Sequence, residues 1–502
     1  MWIRKTKYDP KSELSMQLIE NLNLTGNVYA MLLFAVIGMI IFYLAPVGRR
    51  TVILLVESIL FYALCDIRFL GLILLEAFVT WLCGRKVEEN VPDRKAQADN
   101  SGEGTADGGG RKADFYTALG IVSVASILGI FKYAGFFLGE FSFSAAEIVM
   151  PLGISYYSFR EISYLADIRT GKRNSEKSFL FYSAYVLLFL HIVSGPIARS
   201  ENILNQFHEG IYWNESMACE GLCLVLSGMF KKLVIANRIS PYVDTIFSVY
   251  SSSTGLALWL AAILYSIELY CDFAGYSEIA VGLTRMYGLP CEMNFRQPYL
   301  SIDMQQFWRR WHISLSSWLK DYIYIPLGGN RKGNVRKWGN ILAVFFVCGL
   351  WHGAGLKYIV WGLYHGVWNI LWREGRTLKK HLGFNVVFRQ IGVFFVAMFG
   401  WIIFRAPDLS SALGYMAGMF TRTSINFASI EAAILPFTMD MSCVAYFLTI
   451  VIMTIVLLVL EQEENYHNER FQRLANVRNF VYLILILMFG IEGSGSFLYA
   501  NF

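Results

Sequence analysis

"VYAMLLFAVIGMIIFYLAP", residues 28–46, carries no charged side chain across nineteen positions. Coiled as an α-helix rising about 1.5 Å per residue, it covers roughly the 30 Å hydrocarbon thickness of a bilayer. Further predominantly apolar runs follow at 51–64, 115–138, 178–195, 218–236, 255–271, 338–351, 385–404, 441–460 and 479–491. Shorter ones lie at 69–83, 147–159 and 358–371. About ten to twelve spans are expected, some short or re-entrant. The predicted fold class is an all-α polytopic membrane protein.

Composition agrees. The 502 residues are 55% apolar and only 16% charged, where a soluble domain carries about 25% charged residues. The net charge of +5 then belongs to loop topology. No basic run interleaved with aromatics points to nucleic acid, so the lipid bilayer is the expected partner. The eight cysteines lie mostly in apolar stretches. Cys219 and Cys223, one helical turn apart, are expected to be buried structural thiols. No cleavable leader is expected.

Basic residues favour the cytoplasmic side. Arg49 and Arg50, and the segment from Arg85 and Lys86, are therefore placed inside, and the 65–68 turn outside. Most other basic gaps (169–177, Lys231–Lys232, 331–337, 373–380) are also placed inside. The Gly-rich, charged stretch 84–114 is predicted to be a flexible cytoplasmic loop. The domain reading is a 1–27 N-terminal extension followed by a single membrane domain, 28–502.

Polar residues gather at 268–337. Glu268 and Asp272 stand one turn apart in "ELYCDFAGYSEIAVGLTR", followed by "FRQPYLSIDMQQFWRRWHISLSSWLKDYIYIPLGGNRKG". An ionisable group at the bilayer centre costs about 2.5–3.5 kcal/mol, so such groups face a cavity or pair with one another. A polar chamber is expected here. Residues 303–324 are predicted to be one helix, capped by Ser301 or Asp303. Trp308, His312, Leu315 and Leu319 would share one face, and Arg310, Ser314, Ser317 and Asp321 another. Gly328-Gly329-Asn330-Arg331 is expected to turn the chain.

Of seven histidines, His208, His381 and His467 fall in polar gaps. His191 is expected at a span end and His365 hydrogen-bonded in the core. His312 and His352 remain, each beside a tryptophan. Metal hydrolysis needs closer ligand spacing, and no H-E-x-x-H occurs. A serine hydrolase needs a G-x-S-x-G elbow, also missing. Acyl transfer without a protein nucleophile needs only a general base, orientation and donors to the oxyanion. Gly353 and Gly355 would let a thioester arm approach the backbone near such a base.

"CDFAGYSEIAVGLTRMYG" (271–288), the segment 294–331 and "CGLWHGAGLKYIVWGLYHG" (348–366) resemble the membrane-bound O-acyltransferase (MBOAT) family. The likeness is strongest to the bacterial branch typified by the alginate O-acetyltransferase membrane subunit. "MPLGISYYSFREISYLADIRTGK" (150–172), "HIVSGPIARSENIL" (191–204) and the terminal "SFLYANF" fit the same branch. The resemblance implies a ring of helices around a central tunnel, with 268–365 as catalytic core. It implies His352 as the catalytic histidine and His312 as the second polar position. Asp272, Trp308, Arg310, Trp311, Asp321 and Trp351 are the further candidates for substrate contact or tunnel lining.

The resemblance further implies a multi-pass protein of the bacterial plasma membrane that binds no cofactor. An acyl thioester, acetyl-CoA or an acyl carrier protein, would be its co-substrate. The acceptor would be a surface polysaccharide or an exported SGNH-like partner. The related branch that exports D-alanine to teichoic acid shares "DFAGYS" and both histidines but usually lacks "YIPLGGNR" (324–331). Glu268, and the Arg160–Glu161 pair, depart from the neutral residues expected there. D-alanyl transfer, and a transporter or flippase without chemistry, are the alternatives.

Overall fold

The structure is a computed structural model; it describes residues 24–91, 107–140, 149–375, 385–423, 429–430, 433, 449–456 and 469–492. His381, His467, "SFLYANF" and most of the N-terminal extension lie outside these. Every regular element among the described residues is helical. Asn27 caps the first helix, α1 (Val28–Leu44), by accepting a hydrogen bond from the Ala30 N–H at 2.7 Å. Then follow α2 (Arg50–Asp66), α3 (Leu70–Asn90), α4 (Asp107–Glu140) and α5 (Ile154–Arg169). Short helices α6 (Phe179–Leu187), α7 (Phe189–Ile192) and α8 (Ser200–Glu209) lead into α9 (Glu215–Met229) and α10 (Asn237–Ser248). The 32-residue α11 (Gly255–Met286) precedes α12 (Met304–Arg310) and α13 (Ile313–Leu319). The chain continues through α14 (Gly333–His352), α15 (Leu356–Glu374), α16 (Val386–Arg405), α17 (Leu409–Thr421) and α18 (Glu469–Phe489).

Four stretches of the described chain are long and apolar enough to cross a membrane: Val47–Asn90, Gly110–Ala134, Gly255–Met286 and Val386–Arg405. Exposed apolar side chains mark helix faces suited to lipid, on these stretches and on the shorter apolar helices. On α4, Phe115, Leu119, Val122 and Ile130 form an exposed apolar stripe at helical spacing. On α18, Val477, Phe480, Ile484 and Leu487 do the same. In contrast, α11 is buried along most of its length. It is the central post against which α9, α10, α16 and α17 pack.

Several sequence expectations are corrected. The run 178–195 is no straight span. It breaks between α6 and α7 at Leu188 (φ −42°, ψ 103°), and both pieces lie inside the protein. The predicted loop 84–114 has helical flanks, because α3 continues to Asn90 with Val87 buried and α4 begins at Asp107 with Ala113 buried. Lys231 and Lys232 are not a cytoplasmic gap. They lie in a π-helical turn, Phe230–Ala236, and are buried against α11, where Lys231 pairs with Glu278 and Lys232 with Asp272. Hydropathy alone could not foresee this, because the partners sit on another helix. Cys219 is exposed and Cys223 half-buried, so neither is a buried thiol.

Glycine lets α14 and α15 touch. A Cβ on Gly349 would stand 2.3 Å from the Tyr358 carbonyl oxygen, and one on Gly362 would stand 2.2 Å from that of Phe345. Small residues at such contacts let helix backbones approach, which is how membrane helices gain packing energy without a hydrophobic drive. This hairpin fixes the end of α14, and with it His352.

Candidate active site

The expected single helix over 303–324 is broken at its histidine. Asp303 caps α12, its Oδ1 accepting from the Gln306 N–H at 2.7 Å. The chain then leaves helical geometry at Trp311, and His312 adopts the left-handed conformation with φ 44° before α13 begins. The face predicted to hold Trp308, His312, Leu315 and Leu319 therefore does not exist as one stripe. A non-glycine residue held at positive φ costs about 1–3 kcal/mol and needs outside support.

Asn294 supplies that support from the preceding loop. Its carbonyl accepts the Ile313 N–H at 2.9 Å. Its Oδ1 accepts the Ser314 N–H at 3.1 Å and the Ser314 hydroxyl at 3.0 Å, and lies 3.3 Å from His312 Nδ1. A backbone N–H can only donate, so the amide atom facing it must be the oxygen. His312 Nδ1 must then carry the proton in that contact, which leaves Nε2 as the bare acceptor of a neutral ring. Nε2 is buried and makes no hydrogen bond.

His352 ends α14, 3% exposed; His312 is 1% exposed. Trp351 stands between them, its ring centroid 5.9 Å from His312 and 4.8 Å from His352. Trp361 (4.9 Å) and Phe404 (5.2 Å) complete the wall around His352, while Phe273 (4.8 Å) faces His312. The two imidazoles thus share one aromatic enclosure built from α11, α14, α15 and α16.

A cavity of about 570 Å³ lies beside this enclosure; Ile313 and Cys348 line it, while His312, Trp351 and His352 stand behind its wall. Its apolar wall includes Trp308, Ile341, Phe345 and Cys348, and its polar lining includes Gln305, Arg309, Lys320, Asn330 and Arg373. Cys348 lies one turn before His352, and Ile313 directly follows His312. Arg309, Lys320 and Asn330 are exposed, so the basic end is the open one. Beyond Trp351 lies a second cavity of about 160 Å³, lined by Cys65, Asp66, residues 150–156 and Val193. Its Tyr156 ring is 6.1 Å from Trp351.

The other candidates separate. Trp308 lines the large cavity and packs on His365 at 5.1 Å. Trp351 joins the two histidines. Arg310, Trp311, Asp321 and Asp272 stand outside the large cavity's wall. Arg310 donates to the Gln297 carbonyl at 3.4 Å, and Asp321 pairs with Arg199 at 2.9 Å. Trp311 is packed on Trp401 at 4.7 Å. Asp272 is held by Lys232, so an ion pair between helices stands where a chamber lining was expected.

Among the other histidines, His191 is buried and meets the Thr284 hydroxyl at 3.0 Å. His365 is buried but not hydrogen-bonded as expected, since both ring nitrogens lack a partner and aromatic rings surround it. Arg160 and Glu161 do not pair with each other: Arg160 donates to the Tyr185 and Val186 carbonyls, and Glu161 receives the Thr80 hydroxyl. Gly353 opens no channel, because a Cβ there would lie 2.4 Å from the Tyr358 ring, which already fills the space. Sequence reading missed Asn294 and also Lys132, a lone charge in the apolar run 115–138.

A family model for the membrane-bound O-acyltransferase family matches residues 152–406, which contain both histidines and the residues that line the large cavity. This chain belongs to that family. It is a multi-pass membrane acyltransferase, and the transporter alternative falls away. It is 35% identical over 408 residues to the probable alginate O-acetylase AlgI of Azotobacter vinelandii, covering 79% of this chain and 78% of that protein. It is 30% identical over 412 residues to the peptidoglycan O-acetyltransferase of Helicobacter pylori, covering 75% of each. The teichoic acid D-alanyltransferase of Bacillus subtilis is 30% identical over 234 residues, 44% of this chain and 58% of that protein.

Proposed function

We propose that this acyltransferase sits in the bacterial plasma membrane and moves an acetyl or similar short acyl group from a cytosolic thioester to a hydroxyl on the far side. The acceptor is a surface polysaccharide or an exported SGNH-like partner that passes the group on. The donor is acetyl-CoA or an acyl carrier protein.

One observation carries this reading: the large cavity has a basic mouth, and its lining includes Cys348 and Ile313, one turn before His352 and directly after His312, whose rings share one aromatic enclosure. Arg309, Lys320 and Arg373 suit the phosphates of a coenzyme or carrier arm, and basic residues favour the cytosolic side. The apolar wall along α14 suits the thioester arm, with its carbonyl beside Trp351. His352 takes the proton from the acceptor hydroxyl as the new C–O bond forms. The C–S bond then breaks, and the same proton leaves with the thiol. His312, with a bare Nε2, accepts a hydrogen bond from a second polar hydrogen of the acceptor, beside the reacting hydroxyl, and orients it. A positioned base contributes about 10²–10⁴-fold.

O-acetyl transfer is favoured over D-alanyl transfer because the relatives covering three quarters or more of this chain are O-acetylating proteins, while the D-alanyl relative covers 44% of it. The test is to supply membrane vesicles with isotopically labelled acetyl-CoA or labelled D-alanyl carrier protein and to identify hydroxylamine-labile esters on the acceptor by mass. Labelled acetyl ester is expected. Ester formation only from the D-alanyl carrier would replace acetyl by alanyl, and no ester from either donor would overturn the reading.

A further inference from the structure

Among the buried cations that the mechanism leaves unused is Lys132. Lys132 lies in α4, in the stretch that faces lipid on its other side, yet its side chain is buried. Its ammonium donates to the Trp351 carbonyl oxygen and, at 3.1 Å, to the Ser155 hydroxyl. It also lies over the Trp351 ring, 5.1 Å from the centroid. The next residue points the same way: the Tyr133 hydroxyl donates to the Leu350 carbonyl oxygen at 2.5 Å.

Leu350 and Trp351 belong to the last turn of α14, which His352 ends. Carbonyls of a last helical turn have no following N–H groups to receive. From the backbone, the Gly353 N–H folds back to the Leu350 carbonyl at 3.1 Å. Cations and other donors near a helix C-terminus stabilise these carbonyls. Two adjacent side chains from a distant helix therefore hold two adjacent carbonyls directly before the histidine.

We infer that Lys132 and Tyr133 are positioning residues, a clamp that fixes the final turn of α14 so that the His352 ring and the Trp351 ring keep their places at the end of the donor cavity. The inference rests on His352 as the base. Ser155 extends the clamp to the opposite side, since it lines the smaller cavity near Tyr156. The ammonium thus ties the catalytic helix to the wall of the second chamber. None of the clamp residues lines the donor cavity, so a loss of positioning shows in turnover and not in donor binding.

The experiment uses the full-length protein in membrane vesicles, with acetyl-CoA as the probe donor and ester formation as the readout. Lys132→Met, Lys132→Arg, Tyr133→Phe and His352→Gln are compared with the parent, and folding is checked by thermal unfolding in detergent. Lys132→Met is expected to lower kcat by roughly 10²-fold with KM for acetyl-CoA little changed, the effect of a misplaced base. Lys132→Arg, which keeps a cationic donor, is expected to recover at least about a tenth of the parent kcat. Tyr133→Phe, which removes one oxygen and leaves the ring, is expected to fold normally and lose roughly five- to tenfold in kcat. A normal kcat in both Lys132→Met and Tyr133→Phe, with His352→Gln inactive, overturns the clamp and leaves the base reading standing. A wild-type rate in His352→Gln overturns both.

Discussion

Replacing Asn294 by leucine removes a support that no other side chain can replace. Oδ1 of Asn294 accepts from Ser314 twice and lies within reach of His312 Nδ1. Leucine keeps the backbone carbonyl that receives the Ile313 N–H, but it leaves the Ser314 N–H and the His312 Nδ1–H without their acceptor. Each buried donor left in this way costs about 1–3 kcal/mol. His312 sits at φ 44°, and giving up that conformation returns about 1–3 kcal/mol. At matched ends of these ranges the net loss of stability is about 1–3 kcal/mol. The chain relaxes by letting His312 leave its left-handed conformation, which swings the imidazole away from Trp351. Misplacement of about 1 Å costs roughly 10²-fold in rate. Asn294→Asp, which keeps an acceptor at the same place, is expected to hold most of the activity. The assay is ester formation in vesicles, with unfolding in detergent as the stability measure. A folded Asn294→Leu protein working at the parent rate would refute the reasoning.

Three further outcomes are expected. Gly362→Ala puts a methyl 2.2 Å from the Phe345 carbonyl oxygen, so α14 and α15 must part, whereas at Gly355 the nearest atom is 3.7 Å away. Thermal unfolding should show a loss of about 1–3 kcal/mol for the first and little change for Gly355→Ala; equal effects would contradict the packing. Lys232→Met leaves Asp272 buried without its ammonium and should cost about 3–5 kcal/mol, part of which Asp272→Leu restores in the double variant. Additive losses would show that the pair is not what holds the two side chains. Cys348, at the inner end of the large cavity, should be shielded from a small thiol reagent by bound acetyl-CoA, read by mass of the alkylated peptide. Alkylation unaffected by saturating donor would move the donor elsewhere.

Much of this was readable in the sequence, and the failures have physical causes. Uninterrupted apolar runs give the helical membrane class, because a bilayer forces backbone groups to pair within a segment. The segments around His312 and His352 carry the family likeness, and Asp303 reads correctly as a cap. The break at His312 was not readable. Its local pattern is helical, and the residue that stabilises the break lies eighteen positions upstream in a loop. Lys132 was hidden for the same reason: its carbonyl partner is 219 positions away. Lys231 and Lys232 fall inside the apolar run 218–236 yet read as a basic gap, because two adjacent charges are seldom buried without partners. Their carboxylate partners, 47 and 40 positions on, turn them into core. Gly353 read as open space, but its missing side chain accommodates the Tyr358 ring.

The most direct test of the central claim is the acyl-transfer rate of His352→Gln, measured with labelled thioester in vesicles on protein shown to unfold at the parent temperature. A neutral, similarly sized side chain keeps the enclosure filled but cannot take the acceptor's proton. The account expects the rate to fall by about 10²–10⁴-fold, the share a positioned base supplies. Transfer at the parent rate would contradict it.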